Sequence, residues 1–580
     1  MEIKRVIIKL PKILGTPIVE EFPFYVMFLL AISIMPIRFI PSHIHYLYLD
    51  RLYNFFFIDF PRTGAITYLF TLFVYYSRSR LLKIISYVLV SVLFTVCLFL
   101  HLVFHKVLQP DILILMAETN SQESSEFFSS FVFSKGGILT FFFLLCYVMI
   151  VLILEKNRKV VASALRSMRY KILFHLLLFT FIVCGAVQFK FYHTVCLVDT
   201  VDDMPDDYGC FDSVTALFYS LYSIHLVDVE MKHAVYVVSN MKEKAISAEN
   251  DSLNVVYVIG ESYIKSHAQI YGCYLPTTPH LLQERENGNL YVFDQVVSPF
   301  NQTSTTMKNT FCCNSLRNYE RWSDYPYFPA IFKKAGYQVY FWDVQKDDGM
   351  QALFEFSLNS FVYDKELMKV SYSQVSKNSF RYDGQAVQDF SREAKGLGKH
   401  NLVMFHLMGQ HVMAESRYPH TGQFDKFSYK DIKSNQPYLD NGKRQMIAEY
   451  DNATRYNDDV VKHIIDLFRD KNTVLLYFSD HGEEVYDYRD SYGRVDFDAK
   501  TKHLGYKYQY EVPFMIWCSD KYKEKHPDIV NDIQKALHKP FRTDDICQVM
   551  FHIAQLKTSY KREKYDLLSP AYVPLRQSIQ

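Results

Sequence analysis

The sequence predicts an N-terminal transmembrane domain of five helices, followed by a C-terminal α/β domain with a mainly parallel sheet flanked by helices. Apolar runs dominate the chain up to about residue 190. After about residue 250, short apolar strands alternate with helical stretches, a pattern that predicts βαβ units. A chain of 580 residues also exceeds one ordinary hydrophobic core, so we expect at least two domains.

Five segments in the first part are long and apolar enough to cross a bilayer, for which roughly 20 residues are needed. They lie at about 22–41, 60–77, 84–105, 136–154 and 172–190. The first segment is too long for a cleavable signal peptide and no small-residue cleavage site follows it. We therefore expect it to stay in the protein as a membrane helix.

The lysines and arginines of the short loops predict the orientation of these helices. They concentrate in three stretches, which are the N-terminus, the loop after the second helix and the loop after the fourth. The basic residues are Lys4, Arg5, Lys9 and Lys12, then Arg78, Arg80 and Lys83, and finally Lys156, Arg158, Lys159, Arg166, Arg169 and Lys171. The positive-inside rule places all three stretches in the cytoplasm, so five crossings put everything after Phe191 on the exported side.

Residues 191–250 form a segment that bridges the two parts. Between Ser213 and Val238 apolar residues recur at helical spacing, which fits either an interfacial helix or an ordinary packing helix. We therefore divide the chain into a transmembrane domain at 1–190, a bridging segment at 191–250 and a catalytic domain at 251–580.

The C-terminal part contains five apolar runs that are typical of buried strands. They are Leu253–Gly260, Tyr337–Trp342, Asn401–Met408, Thr473–Phe478 and Val512–Trp517. Long helical intervals such as Gln445–Phe468 separate them, and this alternation predicts the crossover connections of a mainly parallel sheet.

Polar clusters directly follow three of these strands. Glu261 follows the first, Gly409–His411 the third, and Asp480 and His481 the fourth. Ligands of open α/β sheets bind beyond the carboxyl ends of the strands, and carboxylate oxygens and imidazole nitrogens are good zinc ligands. The clusters therefore predict a zinc site at one edge of the sheet. We expect Gly482 to give the backbone the freedom that brings Asp480 and His481 together.

The charge balance bears on the partners of the protein. Its 63 basic and 62 acidic residues give a formal net charge of +1, so we expect no nucleic-acid partner. An aromatic content of 16% suits a membrane protein with interfacial aromatic belts.

These motifs resemble those of the phosphoethanolamine transferases of the alkaline phosphatase superfamily, which modify lipid A or core sugars of lipopolysaccharide and include the mobile colistin resistance enzymes. Glu261, the stretch 267–272 and the Thr-Thr-Pro stretch 275–279 are similar to the family's first metal-binding region. Met408–His411 resembles its Met-Gly-x-His motif, and Ser479–Glu483 its Ser-Asp-His-Gly-Glu motif. The resemblance covers essentially the whole chain.

The resemblance implies roles for individual residues around the metal. Glu261, Asp480 and His481, with a threonine oxygen, would hold one zinc. His411 and His503 would bind phosphoryl oxygens, protonate the leaving group or hold a second zinc.

The same resemblance implies a threonine nucleophile at a helix start, about 40 residues after the glutamate ligand. Thr303 matches this position, since Met307 and Phe311 would then lie on the helix face that packs behind it. Thr305 and Thr306 are the alternatives.

Further residues resemble family positions that contact the substrate. Glu118, Asn120 and Glu123 lie in an acidic loop similar to the stretch that helps to bind the donor head group, although a solvated connector is the alternative. Lys346 would neutralise the donor phosphate, as a lysine of the family does.

The resemblance implies a multi-pass protein of the bacterial inner membrane whose catalytic domain lies in the periplasm. It would transfer phosphoethanolamine from phosphatidylethanolamine to lipid A or the core oligosaccharide, through a covalent threonine intermediate. Modification of lipid A would lower its affinity for cationic peptides and cause polymyxin resistance.

Three other functions remain open from the sequence. A phosphoglycerol transferase of the lipoteichoic-acid-synthase type would share the five helices, the threonine and one metal. A membrane-anchored sulfatase would use Cys313, because Cys313–Arg317 fits the Cys-x-Ser-x-Arg pattern from which sulfatases make formylglycine. A receptor or scaffold with an inactive hydrolase domain is the non-enzymatic alternative.

Overall fold

The computed structural model describes residues 15–33, 60–77, 79–104, 108, 112–113, 131–167, 190–196, 212–247, 249–346, 361–393, 396–494 and 500–575. The chain divides into two compact units, Met1–Val229 and Glu230–Gln580. The predicted membrane segment at 172–190, apart from its last residue, and the second half of the segment at 22–41 lie outside the described residues.

The N-terminal unit is helical where it is described. Its helices are α1 Phe22–Ile32, α2 Phe60–Ser77, α3 Arg80–Phe104, α4 Lys135–Lys156 and α5 Arg158–Ser167. Helix α2 has the bounds of the second predicted segment, and α3 and α4 contain or nearly coincide with the third and fourth. In the part of the chain that the structure describes, α3 and α4 are the helices long and apolar enough to cross a membrane, and α1 is a shorter apolar helix.

A charged cluster joins four helix ends of this unit. Lys83 Nζ lies 2.7 Å from Glu21 Oε2 and 3.2 Å from Glu155 Oε1, and Arg158 Nη2 lies 2.6 Å from Glu21 Oε1. Glu21 precedes α1, Lys83 lies in the first turn of α3, and Glu155 lies in the last turn of α4. Lys83 and Arg158 belong to two of the three basic stretches, so these two stretches lie at the same end of the helix bundle.

Helix α6 spans Ser213–Ser239, which confirms the helix expected from the spacing of apolar residues. It begins where Asp212 Oδ1 accepts hydrogen bonds from the backbone N–H groups of Val214 and Thr215, at 2.9 and 3.0 Å. This is the usual capping arrangement of an aspartate at a helix start.

The C-terminal unit alternates strands and helices. Its strands are β1 Ile246–Ser247, β2 Leu253–Gly260, β3 Leu290–Phe293, β4 Val296–Val297, β5 Gln338–Asp343, β6 Gln374–Val375, β7 His400–His406, β8 Thr473–Ser479, β9 Glu484–Val485, β10 Tyr492–Gly493, β11 Phe514–Cys518, β12 Phe541–Arg542 and β13 Leu556–Lys557. Its helices are α7 Pro279–Glu286, α8 Thr303–Phe311, α9 Phe328–Lys334, α10 Lys365–Ser371, α11 Asp383–Glu393, α12 Asn441–Phe468, α13 Lys502–Gln509, α14 Asp520–Lys525, α15 Pro527–Ala536 and α16 Ile546–Ile553.

The main sheet has seven strands in the order β3-β11-β8-β2-β7-β5-β6. Strands β8, β2, β7, β5 and β6 are parallel, whereas β11 runs antiparallel to both of its neighbours. The sheet is therefore mixed, and the predicted parallel part forms its centre and one side. All five predicted strands belong to it, with bounds within two residues of those predicted.

Burial explains why the central strands are continuously apolar. Every residue of β2 and β8 is buried, as expected for parallel strands covered on both faces. Helix α12 contributes to this cover, since its buried residues Ile447, Tyr450 and Val461 belong to the same apolar core as Val256 of β2. The rigid sheet positions the polar residues that follow its strands.

Candidate active site

Three neighbouring strands deliver the predicted polar clusters to one edge of the sheet. In the parallel pairing, Gly260 at the end of β2 lies opposite Ser479 at the end of β8, and Ile259 lies opposite His406 at the end of β7. Glu261 and Asp480 therefore leave the sheet at the same level. This register confirms the predicted convergence of the clusters.

Glu261, Asp480 and His481 form a fully buried triad at this edge. His481 Nε2 lies 3.3 Å from Glu261 Oε1 and 3.2 Å from Asp480 Oδ2. Two carboxylates and an imidazole withdrawn from water need a compensating cation or extensive hydrogen bonding. The triad is therefore a candidate metal centre.

Thr303, the first residue of α8, lies against the triad. Its Oγ1 lies 3.1 Å from Glu261 Oε2 and 3.2 Å from His481 Nε2. Thr305 bonds instead to the side chain of the residue before the helix, and Thr306 to a backbone carbonyl of the preceding loop. Of the three threonines considered from the sequence, the structure brings Thr303 to the triad.

The spacing around His481 Nε2 suits a tetrahedral zinc ion. Zinc–nitrogen and zinc–oxygen distances of about 2.0–2.1 Å place the ligand atoms of a tetrahedron roughly 3.3 Å apart. His481 Nε2 lies 3.3 Å from Glu261 Oε1, 3.2 Å from Asp480 Oδ2 and 3.2 Å from Thr303 Oγ1, and these three distances match this edge length.

The hydrogen bonds of the triad also suit a metal. His481 Nδ1 lies 2.7 Å from the carbonyl oxygen of Gly482, which assigns the proton to Nδ1 and the lone pair to Nε2, the arrangement that a metal ligand requires. Asp480 Oδ1 accepts hydrogen bonds from the backbone N–H groups of Ser262 and His481. Its buried Oδ2 has no hydrogen-bond partner among the described residues, so it is available as a ligand.

The two carboxylates of the triad repel each other in the absence of a cation. Burial, and then the charge of Glu261, raise the pKa of Asp480 to about 7. A divalent cation among these groups offsets both effects, because it favours the charged form of each ligand.

Backbone geometry at the triad requires unusual conformations. Ser262 has a positive φ of 55°, and its Oγ donates a 2.7 Å hydrogen bond to Glu261 Oε1. Gly409 has a φ of 51°, and a Cβ atom there would lie 2.7 Å from the carbonyl oxygen of Glu261. The positive φ of Ser262 is backbone strain, which persists where the surrounding structure fixes it, as in active sites. Glycine adopts a positive φ freely, so position 409 requires glycine rather than storing strain.

Gly482 is needed for space rather than for the backbone freedom expected from the sequence. It does not have a positive φ, but a Cβ atom there would lie 2.0 Å from the carbonyl oxygen of Tyr508. A side chain at this position would therefore displace the loop that carries Asp480 and His481.

Several other motif residues support the site without touching the triad. His267 Nδ1 lies 2.6 Å from Asp451 and its Nε2 lies 2.9 Å from Asp487, which ties the first motif to α12 and to the loop after β9. The hydroxyl of Thr277 donates to the carbonyl of His267 at 2.7 Å. Tyr450 accepts a 2.7 Å hydrogen bond from the N–H of Ile264.

Two predicted substrate-side histidines occupy different environments. His411 is partly buried after β7, and burial lowers its pKa to about 3, so that its ring is neutral at neutral pH. His503 is exposed on α13. The hydrogen bonds and ion pairs of the described residues join neither ring to the triad.

Lys346 has other partners than the triad. Its Nζ donates to the carbonyl oxygen of Ser376 at 3.2 Å and lies 5.5 Å from the ring centroid of Tyr363. The neighbouring Gln345 reaches the triad instead, since its Nε2 lies 3.2 Å from Glu261 Oε2. Predicted residues Glu118, Asn120 and Glu123 lie outside the described residues.

Two further charged residues at the site were not assigned a role from the sequence. Arg494 Nη1 lies 3.0 Å from His481 Nε2. Glu483 is buried, and neither of its carboxylate oxygens has a hydrogen-bond partner in the described part of the chain. Glu483 is the last residue of the Ser-Asp-His-Gly-Glu motif, so the sequence could have suggested a role for it. Arg494 belongs to none of the motifs found in the sequence.

Cys313, the candidate residue of a sulfatase mechanism, lies in a different environment. It is fully buried, and burial together with a contact to the Cys547 thiol raises the pKa of its own thiol well above the usual value. Its backbone N–H donates to Pro326 and its carbonyl oxygen accepts from Arg562. The residue that meets the triad is Thr303.

Known proteins are similar to this chain in sequence. Phosphoethanolamine transferase EptC of Escherichia coli O18:K1:H7 (strain RS218 / NMEC) is 25% identical over 482 residues, which cover 81% of this chain and 79% of that protein. Kdo(2)-lipid A phosphoethanolamine 7''-transferase of Escherichia coli (strain K12) is 28% identical over 285 residues, which cover 47% of this chain and 46% of that protein. These relatives confirm the resemblance to phosphoethanolamine transferases.

A solved structure matches almost the entire chain. The integral membrane protein lipooligosaccharide phosphoethanolamine transferase A (EptA) from Neisseria meningitidis superposes with a TM-score of 0.59 at 15% identity, over 95% of this chain and 97% of that protein. The two proteins therefore share a fold.

The family described as Sulfatase matches residues 253–552. This range begins at β2 and ends within α16, so it contains all seven strands of the main sheet, the triad and Thr303. The match covers more than half of the 580 residues, and on this ground the chain belongs to the sulfatase family.

Proposed function

We propose that this protein transfers phosphoethanolamine from phosphatidylethanolamine to lipid A or to the core oligosaccharide of lipopolysaccharide. The observation that carries the proposal is the position of the Thr303 hydroxyl, within 3.2 Å of both Glu261 and His481. A hydroxyl beside a buried carboxylate–imidazole triad is placed to act as a nucleophile. The names of the related transferases support the choice of the transferred group.

Glu261, Asp480 and His481, together with the Thr303 oxygen, would hold a zinc ion. When bound, zinc would stabilise negative charge on the threonine oxygen, whose hydroxyl otherwise ionises far above neutral pH. We propose one such ion. The alternative is a site with two zinc ions, in which His411 and His503 would bind the second.

The residues of this chain would carry out two in-line displacements at phosphorus. In the first, a bond forms between Thr303 Oγ1 and the phosphorus of the donor while the bond from phosphorus to the glycerol oxygen breaks. The threonine proton leaves and the departing diacylglycerol oxygen gains one. In the second, a hydroxyl oxygen of an acceptor phosphate or sugar gives up its proton and bonds to phosphorus, the phosphorus–threonine bond breaks, and the threonine oxygen takes up a proton.

The local structure favours this chemistry. Thr303 is the first residue of α8, and the free N–H groups and positive dipole of a helix start stabilise anions such as a phosphoryl group. The neutral ring of His411 can take up or release a proton near the carboxyl end of β7. We retain His503 and Lys346 as proposed substrate contacts on the ground of family resemblance alone.

The membrane part would bring the lipid substrates to this site. We propose five membrane helices within residues 1–190, a bridging segment at 191–250 and a periplasmic catalytic domain at 251–580, in a bacterial inner membrane. Donor and acceptor would then share a leaflet with the enzyme, which raises their effective concentration. Glu118, Asn120 and Glu123 are proposed contacts of the donor head group.

The alternatives have less support. The partners of Cys313 are the Cys547 thiol and backbone groups, whereas Thr303 meets the triad, and this argues against a sulfatase mechanism based on formylglycine. A phosphoglycerol transferase would share the geometry of the site, but the relatives reported above are named phosphoethanolamine transferases.

Mass spectrometry of lipopolysaccharide from cells that express the protein tests the proposal. A phosphoethanolamine mass increment is expected with the wild type and with the control variant Thr305→Ala, but not with Thr303→Ala. Fragmentation of the modified molecule identifies the acceptor. Absence of the increment in the wild type would count against the proposed reaction, and its presence in Thr303→Ala would exclude this threonine as the nucleophile.

A further inference from the structure

The guanidinium group of Arg494 lies beside the candidate metal site, and a role as a metal ligand does not explain this position. Its Nη1 lies 3.0 Å from His481 Nε2, the atom that also lies 3.2 Å from Thr303 Oγ1. The guanidinium group therefore reaches the same space as the candidate ligands. It cannot bind a metal, because all of its nitrogens are donors and none offers a lone pair.

A cation in this position has a physical consequence. The guanidinium and a divalent metal ion repel each other at close range unless an anion lies between them. The two negative charges of Glu261 and Asp480 already neutralise a divalent metal ion. The negative charge of a phosphate group that enters the site would therefore need a further positive charge. Arg494 supplies the positive charge that this phosphate requires, in a planar fork that suits phosphoryl oxygens.

Glu483 lies close to this arginine. Its carboxylate is buried, and Arg494 Nε lies 3.8 Å from Oε2, an ion-pair distance without a hydrogen bond. Arg494 Nη1 also lies 3.4 Å from the carbonyl oxygen of Asn301, two residues before Thr303. The Arg494 side chain is 18% exposed, so it is accessible from solvent although it reaches the buried His481.

The geometry points to Arg494 as the residue that binds the non-bridging phosphoryl oxygens of the transferred group. This inference rests on the proposed function and identifies the ligand class as a phosphodiester head group or a free phosphate. The arginine would hold the same oxygens in the donor and in the covalent intermediate. Lys346, for which the family resemblance implies a contact with the donor phosphate, donates to Ser376 and lies over the ring of Tyr363, whereas Arg494 reaches the triad itself.

The test uses the purified full-length chain in detergent, loaded with zinc. Arg494→Met removes the charge and keeps much of the side-chain volume, Arg494→Lys restores a charge without the fork, and Lys507→Met is a charge-matched control at an exposed position of α13. For each protein, zinc content, the dissociation constant for inorganic phosphate and the rate of phosphoethanolamine transfer are measured.

For Arg494→Met we expect an unchanged zinc content, phosphate binding that is about 10- to 100-fold weaker and transfer that is about 10²- to 10³-fold slower. Arg494→Lys should recover part of both losses, and Lys507→Met should match the wild type. Phosphate binding unchanged in Arg494→Met, or loss of zinc from it, would overturn the inference, as would a wild type that binds no phosphate.

The two proposals fail in different ways. If the wild type binds phosphate through Arg494 but transfers no phosphoethanolamine, the proposed reaction is wrong and the anion site stands. If the wild type transfers phosphoethanolamine and Arg494→Met does so at the same rate, the reaction stands and the role of Arg494 is wrong.

Discussion

The hydroxyl oxygen of Thr303 lies 3.1 Å from a carboxylate oxygen of Glu261, although the two residues are 42 positions apart in the chain. Thr303 begins a helix, and Glu261 directly follows the central strand of the sheet. The same hydroxyl lies 3.2 Å from His481 Nε2, so Thr303 contacts two members of the buried triad.

Thr303→Ala should lower the transfer rate by about 10³-fold or more, because the variant has no oxygen to form the covalent intermediate. Thr303→Ser retains the hydroxyl and should keep measurable activity. Transfer assays on purified protein, with Thr305→Ala as the matched control, check this order. Equal rates for the alanine and serine variants would contradict a nucleophilic role.

Asp480→Asn should abolish zinc binding and yet stabilise the metal-free protein by about 1 kcal/mol. The asparagine Oδ1 can keep both backbone hydrogen bonds, and its Nδ2 can donate to Glu261, so one of two repelling buried carboxylates is removed. Thermal unfolding in a chelator, and zinc content by mass spectrometry, check the two effects. A variant less stable than the wild type in the chelator would contradict the expected repulsion.

His267→Gln should destabilise the catalytic unit by about 3 kcal/mol at pH 6, because Asp451 and Asp487 would face each other without a cation. Burial lowers the pKa of His267, but the two aspartates raise it by more, so it lies well above its usual value of 6.5. The contribution of this charge is therefore complete below pH 6.5 and is lost as the pH rises through the raised pKa.

Urea unfolding of the wild type and the His267→Gln variant, from pH 6 to alkaline pH, measures how the contribution of His267 to stability changes with pH. The difference in unfolding free energy should be largest at the acidic end and should decrease at alkaline pH. A difference that stays constant with pH would mean that the histidine acts by packing rather than by its charge.

Glu284→Gln should lower stability by about 2 kcal/mol and leave the rate per folded molecule unchanged. The buried Glu284 accepts a 2.8 Å hydrogen bond from Trp517 of β11 and a pair of hydrogen bonds from Arg469, which is 37% exposed. Unfolding and transfer assays on the same preparation check both parts. Reduced activity of the folded variant would indicate a link between this distant pair and the site.

Cysteines introduced one at a time should reveal the two sides of the membrane. Relative to the Cys196→Ser protein without an added cysteine, a cysteine at the exposed Tyr319 should give additional labelling by a membrane-impermeant maleimide in intact spheroplasts. A cysteine at the exposed Val160, beside the basic stretch of α5, should react only after lysis. Reaction of both in intact spheroplasts would contradict the proposed orientation.

The sequence by itself determined the features that depend on local pattern. The apolar runs predicted the described helices α2, α3 and α4, and the continuous apolar strands predicted the five long members of the main sheet. Polar residues directly after β2 and β8 predicted the triad, because parallel strands end at a common edge.

Only the tertiary structure decided which side chains complete the site. Three threonines lie within four residues, and the helical rotation at the start of α8 turns Thr303 to the triad while Thr305 and Thr306 bond elsewhere. Arg494 lies in a stretch without periodicity or motif, so no local pattern could place it beside His481. The separation of two residues along the sequence does not predict contacts such as those of Thr303 and Arg494 with the triad. These contacts form when loops from separate strands meet at one edge of the sheet.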